Sequence, residues 1–525
     1  MESAKQPTEP LPARRRRIGM VLALVAASAV YLLVPIHAGE TTNNPGEGLT
    51  RSGRTVAATA AGMAVLWVTE AIPIPVTALL PIALFPLLTG GTISASRAAR
   101  PYAHELIFLF MGGFLLALAM QRWGLHRRIA LKTILLVGTR PSRLVGGFML
   151  ASAVLSMWVS NTATAVMMLP IAVSVIELVR RRSVTGHPPR NADTDGTTTD
   201  GDSSALATCL LLGIAYGASI GGIGTLIGTP PNLLLAAFVR DHYGVDISFA
   251  RWLAVGLPLV ALFLPLTWWL LTRVVFPIRL RDLPGGRALI RDELDRQGPI
   301  SRPEWSVLIV FGLTAAAWIG RRWLAEWELS DGVRPLKGLS DAGIAVVAAV
   351  TLFVMPAGRG RGGALLDWAH AVKLPWGILI LFGGGLSLGS ALQSTGVAAY
   401  IGHTVSGFQG LSPVTMILLL TATVVFMTEL TSNTATTAAL LPVVGAAAVG
   451  LNLDPLLLLV PTAVAASCAF MMPVATPPNA VVFSSGDITV AQMCRAGFGL
   501  NLMGIALITV LMYTLGATAL GIQWP

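Results

Sequence analysis

Charged residues are scarce in this sequence. They make up 12% of its 525 residues, against 54% hydrophobic residues. Apolar stretches long enough to cross a bilayer recur along the chain, so the composition predicts an all-α, multi-pass membrane protein and excludes a soluble domain. Hydropathy allows about eleven spans plus two hairpins.

The first apolar stretch follows four arginines. Residues 18–36 contain no Asp, Glu, Lys or Arg, and residues 14–17 are all arginine. Because basic flanks are held in the cytoplasm, residues 1–17 are predicted to be a cytoplasmic tail. A cleaved signal peptide has the same pattern. The many later spans favour instead a first transmembrane helix with an external loop, residues 18–56.

Cysteine and histidine are also rare. Cys209, Cys468 and Cys494 stand alone in apolar or near-apolar sequence, which excludes a disulfide framework and a cysteine metal site. No two of the seven histidines have the spacing of metal ligands. We therefore expect no cofactor and no transition metal. The net charge of +10 comes from arginines in polar connectors, where they set topology and contact lipid, so nucleic acid is not an expected partner.

Two polar motifs occur twice. Ser160-Asn161-Thr162-Ala163-Thr164 returns at positions 432–436, and Thr229-Pro230-Pro231-Asn232 returns at positions 476–479. The chain therefore divides into repeat 1, residues 57–278, a charged linker, residues 279–304, and repeat 2, residues 305–525. The two motifs are further apart in repeat 1 than in repeat 2. The polar tract 180–204 accounts for this difference and predicts a disordered surface loop.

Both motifs predict breaks in helices at membrane depth. Thr229 and Pro230 each precede a proline, which pushes them out of the α region, and the same holds for Thr476 and Pro477. Non-helical backbone at this depth is buried in protein or lines a cavity. Its carbonyls suit a hard cation such as sodium, and the helix starts that follow offer N–H groups to an anion.

Positive side chains are missing from these segments. Residues 411–494 contain no Lys, Arg or His. A buried anion would therefore need cations bound beside it. The duplication favours two equivalent cation sites, one per repeat, on either side of a shared anion. A polar neutral substrate would satisfy much of the same sequence.

The paired motifs, together with Thr69-Glu70-Ala71-Ile72-Pro73 and the stretch 467–482, resemble the divalent anion/sodium symporter family from about residue 57 onward. The resemblance implies two inverted repeats, Ser-Asn-Thr motifs at the tips of two re-entrant hairpins, and Thr-Pro motifs in two broken helices. It also implies a homodimer in the plasma (inner) membrane, with a scaffold domain and a transport domain that moves like an elevator.

The resemblance further implies site residues. The substrate would be held by residues of the two Ser-Asn-Thr and two Thr-Pro motifs, namely Ser160, Asn161, Thr162, Thr229, Pro230, Ser432, Asn433, Thr434, Thr476 and Pro477. Sodium would be bound in each repeat by hydroxyls, an amide and backbone, namely Ser156, Ser160, Asn161 and Gly228, and Thr428, Ser432, Asn433 and Ala475. Glu429 replaces Met157 of repeat 1, and either a functional role or hairpin-stabilising hydrogen bonds would explain it.

The expected function is sodium-coupled symport of C4-dicarboxylates such as succinate, fumarate and malate. Alternatives are a sodium-independent exchanger of dicarboxylates and 2-oxoglutarate, a sodium-coupled sulfate or citrate transporter and, more distantly, an anion channel. Two Gly-x-Ser-x-Gly strings, at residues 217–221 and 385–389, lie in apolar sequence without the strand-to-helix turn of a hydrolase. They predict close helix packing, and the chain is not expected to be an enzyme.

Overall fold

The computed structural model describes residues 13–36, 48–138, 140–185, 198–280, 285–329, 333–358, 363–406 and 410–523. Within these ranges the protein is helical, and the only β contacts are two isolated bridges, Ile36 with Leu49 and Pro356 with Ala364. Nine helical stretches of this described part are long and apolar enough to cross a bilayer. The prediction of an all-α, multi-pass membrane protein is confirmed.

Twelve helices cover the chain up to the end of repeat 1: α1 (Ala13–Leu33), α2 (Arg51–Thr69), α3 (Ile74–Thr77), α4 (Leu80–Leu88), α5 (Ala95–Ala99), α6 (Glu105–Arg122), α7 (Leu125–Val137), α8 (Pro141–Ser156), α9 (Asn161–Thr185), α10 (Thr198–Ile223), α11 (Pro230–Tyr243) and α12 (Phe249–Trp269). A further twelve follow: α13 (Gly286–Asp295), α14 (Arg302–Glu326), α15 (Asp341–Val354), α16 (Trp368–Ala371), α17 (Trp376–Ser394), α18 (Val397–Val405), α19 (Pro413–Thr428), α20 (Asn433–Gly450), α21 (Leu456–Ala466), α22 (Pro477–Phe483), α23 (Val490–Leu511) and α24 (Ala517–Leu520).

The helix order of repeat 1 returns in repeat 2. Helices α6 to α12 correspond in sequence to α17 to α23, and the register that aligns the two Ser-Asn-Thr motifs also aligns the first residues of α7, α8 and α9 with those of α18, α19 and α20. Helices α11 and α22 each begin at the first proline of a Thr-Pro motif. Both α12 and α23 end in a short π-helical turn, at Leu270–Val275 and Met512–Gly516. The internal duplication therefore extends from the motifs to whole helices.

Helices α8 and α9 form a hairpin around the first Ser-Asn-Thr motif. Glycines of α10 show the direction: a Cβ on Gly213 would meet Val145 and Met149, and one on Gly221 would meet Ala153. Contacts that advance together along both helices mean that α8 runs parallel to α10. Asn161, the first residue of α9, lies against Gly222 near the end of α10, and α9 packs on α10, so α9 runs antiparallel to α10 and to α8.

The Thr-Pro motifs lie where the next helix of each repeat restarts. Helix α10 ends at Ile223 and α11 begins at Pro230, while α21 ends at Ala466 and α22 begins at Pro477. Proline is favoured in the first turn of a helix because its missing N–H has no partner there in any case. The predicted breaks are present in both repeats.

After each break, the helix that follows packs against helices of the other repeat. Helix α11 of repeat 1 packs against α20 and α21 of repeat 2, and α22 of repeat 2 packs against α9 and α10 of repeat 1. An ion pair of 2.5 Å joins Arg180 of α9 to Asp487, which follows α22 in the chain. Each broken helix therefore leads into the hairpin of the other repeat, and the four elements with motifs form one cluster.

Two predicted segments differ from the structure in detail. Helix α9 continues to Thr185 and α10 begins at Thr198, so the predicted loop 180–204 is too long at both ends. The predicted loop extends too far because polar residues lengthen both helices beyond their apolar segments. Residues 186–197 and 1–12 lie outside the described residues, and the last residues of the predicted tail belong to α1.

The charged linker contains the helix α13. It packs on α7, and Arg127 pairs with Glu293. A second pair, Arg128 with Glu304 at 2.8 Å, is buried at the start of α14. Because Arg128 also donates to the carbonyl of Gly298, this charge has partners on several sides, as a buried charge requires.

Candidate functional site

The first Ser-Asn-Thr motif begins helix α9 at the tip of the hairpin. Ser156, the last residue of α8, donates from its hydroxyl to Asn161 Oδ1. Ser160 Oγ accepts from the N–H of Ala163 at 3.3 Å and so caps the helix start. These bonds fix the amide and both hydroxyls of the predicted first sodium site.

Gly222, near the end of α10, joins this tip to the break. A Cβ on Gly222 would lie 2.8 Å from Asn161 Oδ1 and 3.2 Å from the carbonyl oxygen of Gly228. The side chain of Asn161 and the carbonyl of Gly228 therefore both lie close to the same face of Gly222. The structure brings the predicted ligands Ser156, Asn161 and Gly228 together.

Buried hydrogen bonds hold the first break in place. Asn232 has no exposed surface, and its Nδ2 donates to the carbonyl of Thr225 at 2.8 Å and to those of Gly222 and Ile223 at 3.3 Å. The hydroxyl of Thr225 in turn donates to the carbonyl of Met157 in the hairpin tip. One asparagine thus closes the break, and one threonine ties it to the tip.

The second hairpin repeats this chemistry. Thr428 Oγ1 donates to Asn433 Oδ1 at 2.8 Å, as Ser156 does to Asn161. The same hydroxyl is 2.9 Å from the carbonyl of Ala466, the last residue of α21. Ser432 precedes α20, and its carbonyl accepts from Thr436 N–H at 2.8 Å. Thr428, Ser432 and Asn433 are therefore at one tip.

The second break is also held by its asparagine. Asn479 is fully buried, and its Nδ2 donates to the carbonyls of Met472 at 3.0 Å and Ala469 at 3.2 Å. In the register of the Thr-Pro motifs, these two carbonyls are equivalent to those of Thr225 and Gly222, which accept from Asn232. The structure connects the predicted ligand Ala475 to this network through its N–H, which donates to Met472 at 3.2 Å.

The two Thr-Pro threonines differ. Both have extended backbone at the start of a helix and are 4% exposed. Thr476 Oγ1 accepts from Asn479 N–H at 3.3 Å and caps α22, whereas Thr229 makes no side-chain cap bond to α11. Pro230 and Pro477 each open the helix that follows. Thr162 and Thr434, one residue after the motif asparagines, are partly exposed at the two tips.

Three residues with structural roles at the site were not among the predicted site residues. Asn232 and Asn479 belong to the duplicated Thr-Pro-Pro-Asn motif, which is the signal that could have identified them. Thr225 has no equivalent hydroxyl in repeat 2, where Met472 takes its place. A comparison of the repeats therefore gives no indication of its contact with Met157.

In the part of the chain that the structure describes, the site contains helix starts but no buried positive side chain. Four helices, α9, α11, α20 and α22, begin at the two tips and two breaks. Among the described residues, the buried charged side chains are Arg128, Glu304, Asp341 and Glu429, and only Glu429 lies in these elements. Oxygens and amide groups therefore supply the local chemistry, together with the positive ends of helix dipoles.

Comparison with known proteins agrees with this architecture. Residues 16–521 match the family described as the sodium:sulfate symporter transmembrane region. The chain is 41% identical to a "sodium-dependent dicarboxylate transporter SdcS" from Staphylococcus saprophyticus over 91% of this chain and 89% of that protein. It is 40% identical to the protein of the same name from Staphylococcus aureus strain USA300, over 88% of this chain and 85% of that protein.

Two solved structures share the fold. The Alcanivorax borkumensis YdaH transporter superposes with a TM-score of 0.54 at 14% identity, covering 97% of this chain and 99% of that chain. Neisseria gonorrhoeae MtrF gives a TM-score of 0.53 at 13% identity, with 97% of each chain covered. The relatives are transporters, so the prediction of a chain that is not an enzyme is confirmed. The chain belongs to the sodium:sulfate symporter family, the divalent anion/sodium symporters that its motifs resemble.

Proposed function

We propose that this protein is a secondary active transporter that couples the entry of dicarboxylates, C4-dicarboxylates first, to an inward sodium gradient. The observation that carries the proposal is the duplicated site, where hydroxyl, amide and backbone oxygens recur in both repeats and where the described residues include no buried cationic side chain. The similarity to sodium-dependent dicarboxylate transporters supports the same substrate class.

In this proposal each repeat binds one sodium ion. Ser156, Ser160, Asn161 and the backbone at Gly228 would hold the first, and Thr428, Ser432, Asn433 and the backbone at Ala475 the second. Hard cations take oxygen ligands of this kind. The substrate carboxylates would contact the Ser-Asn-Thr residues Ser160, Asn161, Thr162, Ser432, Asn433 and Thr434, with Thr229-Pro230 and Thr476-Pro477 closing the site. Sodium would thus neutralise the dianion that the protein itself leaves uncompensated.

The transport cycle in this proposal is an elevator movement. The hairpins and broken helices would form the transport domain, because they pack on one another through both repeats. The remaining helices would form the scaffold and the contact of a homodimer in the plasma (inner) membrane, with the N-terminus in the cytoplasm. The exchange of partners between α11 and α22 fits two repeats of inverted orientation.

Uptake into proteoliposomes tests the proposal. The purified protein should accumulate labelled succinate when sodium is present outside, and should not do so when potassium replaces it. Excess fumarate should suppress this uptake, and excess sulfate should not. Uptake that needs internal dicarboxylate but no sodium would indicate an exchanger. Suppression by sulfate would indicate the sulfate transport after which the family is described, and flux that does not saturate would indicate a channel.

Paired variants test the duplicated site. Asn161→Ala and Asn433→Ala should each reduce sodium-driven uptake at least tenfold. Each removes the motif amide from the cation site of its own repeat, and the other repeat has no amide that could replace it there. Thr423→Ala is the matched control, since this threonine is exposed on α19, in the same hairpin as Asn433, and bonds only to its own helix. Normal uptake by either asparagine variant would contradict a site built from both repeats.

A further inference from the structure

Glu429 accepts hydrogen bonds from several groups at the tip of the second hairpin. Its side chain is buried, with 4% of the residue exposed. Oε1 accepts from the N–H groups of Phe470 at 2.7 Å and Met471 at 2.9 Å, and Oε2 from Met471 at 3.0 Å and Met472 at 3.1 Å. Asn501 Nδ2 of α23 donates to Oε1 at 2.8 Å. Both oxygens accept from N–H donors, which is the bonding of an ionised carboxylate.

These contacts connect three elements. Residues 470–472 belong to the unwound segment between α21 and α22, whose N–H groups have left the helical ladder. Three consecutive N–H groups that converge on one anion form a nest, and a carboxylate fits it because both of its oxygens accept hydrogen bonds, whereas an amide side chain has only one acceptor oxygen. Glu429 thereby joins the hairpin tip, the unwound segment and α23.

Repeat 1 also connects its hairpin tip to its break, but it uses a side-chain donor and a backbone acceptor, whereas repeat 2 uses backbone donors and a side-chain acceptor. The residue equivalent to Glu429 is Met157, whose backbone carbonyl accepts from the hydroxyl of Thr225. Met472 replaces Thr225 in repeat 2 and donates its N–H to Glu429. Among the described residues, Glu429 is the only buried charged side chain of the hairpins and broken helices. The two otherwise matched cation sites therefore differ by one fixed negative charge.

The charge is next to ligands of the second site. Glu429 follows Thr428, whose hydroxyl contacts both Asn433 and the carbonyl of Ala466. The segment that it holds includes Met472, whose carbonyl accepts from Ala475 and Asn479. A buried negative charge attracts a cation more strongly than a solvated one does, because the surrounding dielectric is low. Both the charge and the positions of the ligands at this site thus depend on Glu429.

We propose that Glu429 is a positioning residue that holds the unwound segment with Asn501 and so sets the sodium affinity of the second cation site, but not that of the first. This inference rests on the proposed sodium coupling. The two sites would consequently bind sodium with unequal affinity, the second more tightly. The duplication of their ligands alone predicts equal affinities.

The test is the sodium dependence of succinate uptake by Glu429→Gln in proteoliposomes. Gln keeps the size of the side chain but removes the charge and directs N–H groups at the nest. The sodium concentration that gives half-maximal uptake should rise at least tenfold, while the KM for succinate at saturating sodium stays within about threefold. A merely structural role would lower the amount of folded protein and the maximal rate without moving the sodium dependence.

Two further variants keep the inference testable if Glu429→Gln does not fold. Asn501→Leu retains the charge but removes one of its donors, and should raise the half-maximal sodium concentration about threefold. Thr423→Val, an exposed position on the same helix as Thr428, is the control and should leave it unchanged. Sodium dependence within twofold of the unmodified protein in every variant that folds would overturn the inference. Failure of the unmodified protein to take up succinate with sodium would instead contradict the proposed function.

Discussion

Gly222 shows how closely the first hairpin tip approaches the broken helix. A Cβ at this position would be 2.8 Å from Asn161 Oδ1, a distance that requires a shift of the amide. We expect Gly222→Ala to weaken sodium binding in repeat 1. Overpacking of this kind costs about 1–3 kcal/mol, which corresponds to roughly a 5- to 150-fold loss of affinity. The measurement is the half-maximal sodium concentration for uptake.

Gly312→Ala is the matched control for this substitution. Gly312 is also helical, on the exposed face of α14, and a Cβ there would meet no atom within 4 Å. The same chemical change should leave sodium dependence intact at this position. Equal effects of the two substitutions, or none at Gly222, would contradict the close approach of Asn161 to α10.

At the scale of elements, the two helices that follow the Thr-Pro motifs begin differently. Helix α22 has seven residues and its first turn is capped by Thr476, whereas α11 has fourteen residues and no cap bond from Thr229. Thr476→Val should therefore destabilise the start of α22 by about 1 kcal/mol, the usual cost of a lost N-cap. Hydrogen exchange of the first turn of α22 should become faster by roughly fivefold.

Thr229→Val is the comparison in repeat 1. It removes no cap, so hydrogen exchange of α11 should not change. Uptake should still fall, because the proposed function assigns this hydroxyl to the substrate. Faster exchange in α11 would show that the Thr229 side chain stabilises the start of this helix after all, and unchanged uptake would contradict its place in the proposed substrate site.

At the scale of the whole molecule, local rules predicted the positions of the breaks but not the contacts that hold them. Proline chemistry places a helix start at Pro230 and at Pro477, and the duplication marks the amide of Asn161 as equivalent to that of Asn433. Glu429 differs, because its partners lie 41 to 72 residues away and three of them are backbone groups, which no side-chain pattern reveals. The bounds of loop 180–204 were wrong because polar sequence can also extend a helix.

Residues 240–249, which span the last residues of α11, the connector and the first residue of α12, are held at both ends by contacts to other helices. Near α11, Arg240 pairs with Glu105 and Asp241 contacts His104 at 2.9 Å. Near α12, the N–H of Phe249 donates to an oxygen of Asp341 at 3.1 Å. Helices α6, α14 and α15, which carry or adjoin these partners, pack on one another. An elevator movement of the hairpins and broken helices against them would have to break the contacts of Arg240 and Asp241, which lie in the broken helix α11.

A charge exchange tests this consequence. Glu105→Arg and Arg240→Glu should each lower the maximal uptake rate. Like charges then face each other and destabilise the conformation seen in this structure, in which the ion pair forms. The pair is partly exposed, and such pairs are worth up to about 1 kcal/mol, so a two- to fivefold loss is expected. The double variant restores opposite charges and should recover the rate, whereas additive losses would mean that the pair does not couple α11 to α6. Raising the salt concentration should shrink the loss in both single variants, since exposed charges are screened.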